Sequence, residues 1–179
     1  YSGVMNEHSI NEIVYATFYM AKKKTGALMT IEQNESLHDI EKTGIEINGL
    51  ISSGLIINIF EKNTPLHDGA VVIRGNEVVA ATCYLPLSEN LSISKDLGTR
   101  HRAAIGVSET TDSLTIVVSE ETGRVSVAEG GKLTRVPDQE SLRRILTALV
   151  TAEESGGFFR WRRSRKAAEE KQTQNEKAQ

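Results

Sequence analysis

The feature that most constrains this chain is a pair of β-rich segments, each broken by a glycine-centred turn. Residues 71–73 and 78–84 flank Gly75-Asn76, and residues 124–128 and 133–136 flank Gly130-Gly131. β-branched and apolar runs around turns of this composition read as hairpins. Leu114–Val118 adds another β-rich run, and residues 27–32 a short buried one. Helical periodicity occupies the intervals. Ile10, Ile13, Val14, Phe18 and Met20-Ala21 recur at near-helical spacing, with Ser9 or Asn11 as N-cap, Lys22-Lys23-Lys24 in the last turn and Gly26 as the stop. Residues 51–60 fit a short helix opened by Ser52 or Ser53, and residues 99–107 another, with Ala103, Ala104 and Val107 on one face. Pro137 and Asp138 open a last helix carrying Leu142, Ile145, Leu146 and Leu149. Residues 37–49 read as loop, with a short extended piece at 45–47. This order predicts an α/β (α+β-like) chain, a mixed central β-sheet with helices packed on both sides.

A length of 179 residues fits one domain, or one domain plus a tail. We expect a folded unit over residues 1–152 and a polar, disordered tail over 153–179. Within the tail, Phe158, Phe159 and Trp161 alternate with Arg160, Arg162, Arg163, Arg165 and Lys166. That mixture suits an anionic lipid or nucleic acid, or simply a solvated tail. The net charge of −3 makes neither nucleic acid nor an anionic membrane the default partner of the whole chain. The single cysteine, Cys83, excludes an internal disulfide or a CxxC-type zinc site and reads as a small core residue in a reduced, cytoplasmic setting. No run reaches the ~18–20 apolar residues of a membrane span. The chain starts at Tyr1 rather than Met, which points to a processed product or a piece of a longer parent.

Three clusters carry candidate chemistry. In the first, Leu66-His67-Asp68-Gly69-Ala70 runs straight into the apolar Val71-Val72-Ile73. Asp68 there can form an Asx turn with Gly69 at positive φ, hold a divalent cation, or accept a proton from a substrate hydroxyl. The second, Gly98-Thr99-Arg100-His101-Arg102-Ala103, stands at a predicted helix start. Free amides there favour anions, Thr99 and His101 can donate, and Arg100 and Arg102 offer planar forks to phosphate oxygens. The alternative is a capped helix with solvated arginines. The third, Ser119-Glu120-Glu121-Thr122-Gly123, follows a predicted strand and alone reads as an ordinary charged turn. Walker-type and GxGxxG cradles are missing. His38-Asp39 repeats the pair His67-Asp68, which raises an HD-type metal phosphohydrolase; such sites are built on helices, whereas His67-Asp68 leads into a strand.

Taken together, the Asp68-Gly69-Ala70 and Arg100-His101-Arg102 motifs, with Ser119 to Gly123, resemble the diadenylate cyclase (DAC) domain. The likeness extends from Asn11 to about Val136, and the start of the chain most resembles the membrane-anchored class, whose N-terminal transmembrane helices lie outside this sequence. The resemblance implies the DAC fold and condensation of two ATP molecules into cyclic di-AMP, with release of two pyrophosphates, across a face-to-face homodimer. It implies that Asp68 helps activate the 3′-hydroxyl, and that Thr99, Arg100, His101 and Arg102 hold phosphates. It also implies that Gly69 lies close to the nucleotide, that the Leu85 backbone meets adenine, and that Ser119 and Glu121 stand near the phosphates. Mg²⁺ or Mn²⁺ would neutralise the leaving pyrophosphate, with His67, Asp68 and Glu121 as candidate ligands. A phosphoglucosamine mutase and a membrane regulator are the implied partners, with no nucleic acid. The other readings are a module that binds ATP or cyclic di-AMP without turnover, and an interaction domain that docks through the tail.

Overall fold

One strand, β1 (Ala27–Ile31), separates two antiparallel units of a single mixed sheet in this computed structural model, which describes residues 4–154. On one side lies the hairpin of β3 (Ala70–Arg74) and β4 (Glu77–Cys83), with β2 (Ile45–Leu50) added outside β4. On the other lies the meander of β5 (Leu114–Val118), β6 (Val125–Glu129) and β7 (Lys132–Val136). The resulting order is β2-β4-β3-β1-β5-β6-β7. Only β1 and β3 run parallel, with Met29 opposite Val71; β1 and β5 are antiparallel, with Met29 opposite Ile116.

Because successive side chains in a strand point to opposite faces, the central strands feed two cores. Met29, Ile31, Val71, Ile73, Leu114, Ile116 and Val118 pack on one face beneath α1 (Glu7–Lys22), α3 (Ser53–Phe60) and α5 (Gln139–Glu154). Leu28, Ala70, Val72, Val79 and Val117 pack on the other, against Ala103, Ala104 and Val107 of α4 (Thr99–Thr110) and Leu37 beside the short α2 (His38–Glu41). The helices therefore cover both sides, as the element order predicts. Each Val, Leu or Ile buried in this way contributes roughly 1.5–3 kcal/mol. Thr30 and Thr115, directly opposed in the buried β1–β5 ladder, satisfy each other at 3.1 Å.

Several boundaries differ from the sequence reading. Neither Ser9 nor Asn11 caps α1; Asn6 does, its side chain accepting from the Ser9 amide at 2.9 Å. Ser52 caps α3, accepting from the Leu55 amide. The segment expected to be loop, residues 37–49, contains α2, and its short extended piece at 45–47 is the first half of β2, which runs on to Leu50. Its anchor is Arg74, which forks onto Glu32 at 2.8 and 3.0 Å and reaches Glu41 of α2 at 2.6 Å. α5 runs to Glu154, and the basic and aromatic residues of the expected tail lie outside the described residues. No helix among the described residues is long and apolar enough to cross a membrane.

Candidate active site

A cleft of about 620 Å³ opens at one end of the sheet. Four adjacent strands build its floor: the parallel pair β1 and β3 begin there, and the antiparallel β4 and β5 end there. Its lining includes Gly26 and Leu28, Phe60, residues 67–69, residues 83–85, Thr99, Arg100 and Glu120. The lining thus combines apolar side chains (Leu28, Phe60, Leu85) with charged ones (Asp68, Arg100, Glu120).

The segment leading into β3 fixes the orientation of His67. Its Nδ1 lies 2.6 Å from the Thr64 carbonyl oxygen, which can only accept, so Nδ1 carries the proton. In the neutral ring the lone pair is then on Nε2, 3.4 Å from Asp68 Oδ1. The Asp68 side chain is 86% exposed at the cleft mouth, free to meet a hydroxyl or a cation. Gly69 follows at φ +85°, and an added Cβ would lie 2.8 Å from the Cys83 carbonyl oxygen. No side chain fits between the start of β3 and the end of β4.

The β4 side of that contact is itself irregular. The register slips between Ala70–Cys83 and Val72–Ala80, and Thr82 sits at φ +55°. A β-branched residue in the left-handed region costs about 1–3 kcal/mol. This bulge turns the strand end so that Tyr84 lies exposed at the rim while Leu85 is buried in the cleft. The Tyr84 amide donates to Thr43 Oγ1 at 2.8 Å, linking the rim to the segment that Arg74 anchors. Cys83 contributes to the floor, and burial together with the Glu41 charge pushes its thiol up to about 11.

The third wall is the start of α4. Gly98 is its N-cap and offers no side-chain acceptor, which leaves the first-turn amides open towards an anion. Arg100 pairs with Glu120 at 3.4 Å across the cleft. His101 is half-buried; burial above all, then the neighbouring Arg100 charge, holds its imidazole below 6.5, against an opposing pull from Glu121. It is therefore neutral near pH 7 and able to donate one hydrogen bond.

Of the residues singled out from sequence, His67, Asp68, Gly69, Leu85, Thr99 and Arg100 line one cleft. His101, Arg102, Ser119 and Glu121 are not in that lining. The Arg102 carbonyl accepts from the Ser88 amide at 3.0 Å, and Ser119 Oγ accepts from the Glu121 and Thr122 amides. Gly26, read only as a helix stop, and Glu120, named in the third cluster but given no role, also line the cleft, because their neighbours meet only in the folded sheet. Among the described residues no three His, Cys, Asp or Glu side chains converge on a metal position, so His67, Asp68 and Glu121 do not form a cage by themselves. The pair His67 Nε2 and Asp68 does fit a cation shared with a phosphate-bearing ligand: it offers one nitrogen and one carboxylate, with the other ring nitrogen held by a carbonyl.

Comparison with known proteins agrees with this layout. The family profile DAC, "DisA bacterial checkpoint controller nucleotide-binding", matches residues 14–133. The chain is 54% identical over 159 residues to a cyclic di-AMP synthase, CdaA, of Bacillus subtilis, covering 87% of this chain and 58% of that protein. It is 52% identical over 158 residues to a diadenylate cyclase of Listeria monocytogenes, with the same coverage of 87% and 58%. The crystal structure of a double mutant of DacA from Staphylococcus aureus superposes with a TM-score of 0.79 at 46% identity, over 80% of this chain and 96% of that one. A hypothetical membrane spanning protein from Bacillus cereus gives 0.69 at 44% identity, over 70% and 62%. The chain thus spans 58% of the length of the two curated relatives. With its sheet order, its cleft and both motifs in place, this chain belongs to the DAC family of nucleotide-binding domains.

Proposed function

We propose that this chain is the catalytic part of a diadenylate cyclase, which condenses two ATP into cyclic di-AMP and releases two pyrophosphates. The observation that carries the reading is that one cleft brings together apolar side chains, the uncapped start of α4 and the exposed Asp68 carboxylate. Adenine would lie between Leu28, Phe60 and Leu85, with the Leu85 backbone at its edge. The triphosphate would meet Thr99, Arg100 and the first amides of α4, with His101 and Arg102 supporting from the same turn and Ser119 and Glu121 from the facing one. Asp68 accepts the proton of the 3′-hydroxyl as its oxygen attacks the α-phosphorus of the other ATP, and the bond to pyrophosphate breaks. A second forward transfer, in which the remaining 3′-hydroxyl attacks the remaining α-phosphorus and the second pyrophosphate leaves, closes the ring. In-line transfer of this kind rests on positioning and charge neutralisation.

The exposure of Asp68 favours a second subunit placed face to face, since the outward carboxylate reaches a neighbour's substrate more readily than its own. Mg²⁺ or Mn²⁺, held by His67 and Asp68 with the substrate's phosphates, would supply charge neutralisation at the leaving group. Glu121 remains a proposed third ligand. The catalytic unit is proposed to span residues 1–152, with 153–179 as a separate tail. For the parent protein we propose a cytoplasmic catalytic domain anchored in the membrane, and a phosphoglucosamine mutase and a membrane regulator as partners. The test is incubation with ATP and each metal in turn, with products read by mass. Cyclic di-AMP from the unmodified chain and its loss in Asp68→Asn are expected. ATP binding without product under every metal would replace this reading with that of a non-catalytic nucleotide-binding module.

A further inference from the structure

Arg100 is held from two sides by residues to which neither motif assigns a role. On one side is Gly26, immediately before β1: a Cβ built there would lie 2.5 Å from both Cζ and Nη1 of Arg100 and 3.0 Å from Nε. The guanidinium therefore lies flat against the Gly26 backbone, in the space that any side chain would fill. On the other side is Glu120, whose Oε2 is 3.4 Å from Nη1. The two walls are themselves fixed. Gly26 follows the end of α1, where the Thr25 amide donates to the Met20 carbonyl at 2.9 Å. Glu120 stands in a turn tied by the Gly123 amide on the Ser119 carbonyl at 2.9 Å and by Ser119 Oγ, which accepts from two amides.

We propose that Gly26 is a positioning residue, whose missing side chain is the slot that aims the Arg100 guanidinium into the cleft, with Glu120 as the opposite wall. An arginine side chain loses much rotamer freedom when it engages a phosphate, and a slot that narrows its range beforehand reduces that loss. An exposed ion pair alone is a weak tether; Glu120 is 56% exposed, so the flat backbone contact carries the orientation and the carboxylate supplements it. Glu120 also gives Arg100 a counter-charge that a polyphosphate can displace.

The inference rests on reading the cleft as the ATP site, and it separates from that reading by experiment. The atoms that an added methyl would meet are the free end of a flexible side chain, so Gly26→Ala costs the fold little. Alanine in place of glycine also restricts the unfolded chain, which leaves the thermal midpoint unchanged or raised. The same methyl displaces the guanidinium. ATP affinity, read by calorimetry in the presence of Mn²⁺, is expected to fall about tenfold in Gly26→Ala, the loss of one well-formed charge-assisted contact. In an Arg100→Ala background the same substitution is expected to change affinity less than about twofold, because its only route is through Arg100. A role in stability alone would instead lower the midpoint and act equally in both backgrounds. Unchanged affinity in Gly26→Ala, or a full tenfold loss again without Arg100, overturns the inference while leaving the ATP site intact. Absence of ATP binding by the unmodified chain overturns both readings.

Discussion

Replacing Arg74 by methionine removes the charge that three elements share while keeping the apolar stem. Arg74 makes a bidentate pair with Glu32 at 2.8 and 3.0 Å and a further contact with Glu41 at 2.6 Å, and these side chains are only 24, 11 and 15% exposed. Loss of the shared partner leaves two poorly hydrated carboxylates side by side, a change of about 3 kcal/mol. For a chain of this size that is about 9 °C in thermal midpoint. The pH dependence is a sharper check. Burial opposes ionisation of Glu32, but hydrogen bonds from Arg74 and the Leu37 amide outweigh it, so its carboxyl is held below 4.5. In the native chain this group therefore contributes stability above 4.5 that is lost as pH falls through the lowered value. Without Arg74, burial prevails and the carboxyl rises above its ordinary value, so the variant gains rather than loses stability as Glu32 is protonated. The gap between the two proteins should be widest near neutrality and close progressively below about pH 5. Circular dichroism melts across that range measure it. A midpoint difference below about 2 °C at neutral pH, or a gap that does not narrow on acidification, would refute the reasoning.

Two further outcomes follow from the site. His101 has its folded value lowered from 6.5, so the stability it contributes is complete above 6.5 and lost as pH falls through the window beneath it. His101→Gln should remove that slope, at most about 1.4 kcal/mol per pH unit for one proton, and melts that keep the same acid slope would contradict it. Cys83, raised from 9.0 to about 11, should be alkylated roughly 100-fold more slowly in the folded than in the unfolded chain at one pH; equal rates would show that the thiol is not held in the floor of the cleft.

The hairpins were legible because their determinants are local: Gly75-Asn76 and Gly130-Gly131 lie between apolar runs, and β3–β4 and β6–β7 form there. β2 was legible only over 45–47 because it is an edge strand, largely exposed, held by β4 and by the Arg74–Glu41 pair from afar. The cap of α1 was misplaced for a similar reason. Asn6 is set in place by Asn76, whose Oδ1 accepts from the Asn6 amide and the Ser9 hydroxyl at 2.8 Å each. In the cleft, Asp68, Gly69, Thr99 and Arg100 could be picked out by motif. Gly26 could not, since its partner is 74 positions away, nor could the positive φ of Thr82, which only the register of the folded sheet reveals. Sequence likewise offers no means to choose Glu120 over Glu121 as the cleft carboxylate, because the turn's orientation decides it.

The central place of β1 has a consequence for the order in which the molecule becomes competent. The β3–β4 hairpin and the β5–β6–β7 meander close over short distances along the chain and can form early, whereas β1 must find Val71 on one side and Ile116 on the other from Met29. Such long-range closure is slow relative to hairpin formation. Until β1 inserts, Gly26 and Leu28 are absent from the cleft, and the β3 and β5 ends stand apart. A chain emerging from synthesis therefore holds its Asp68 and Arg100 motifs well before it holds a site. Nucleotide binding would then report on completion of the whole sheet, not of either half.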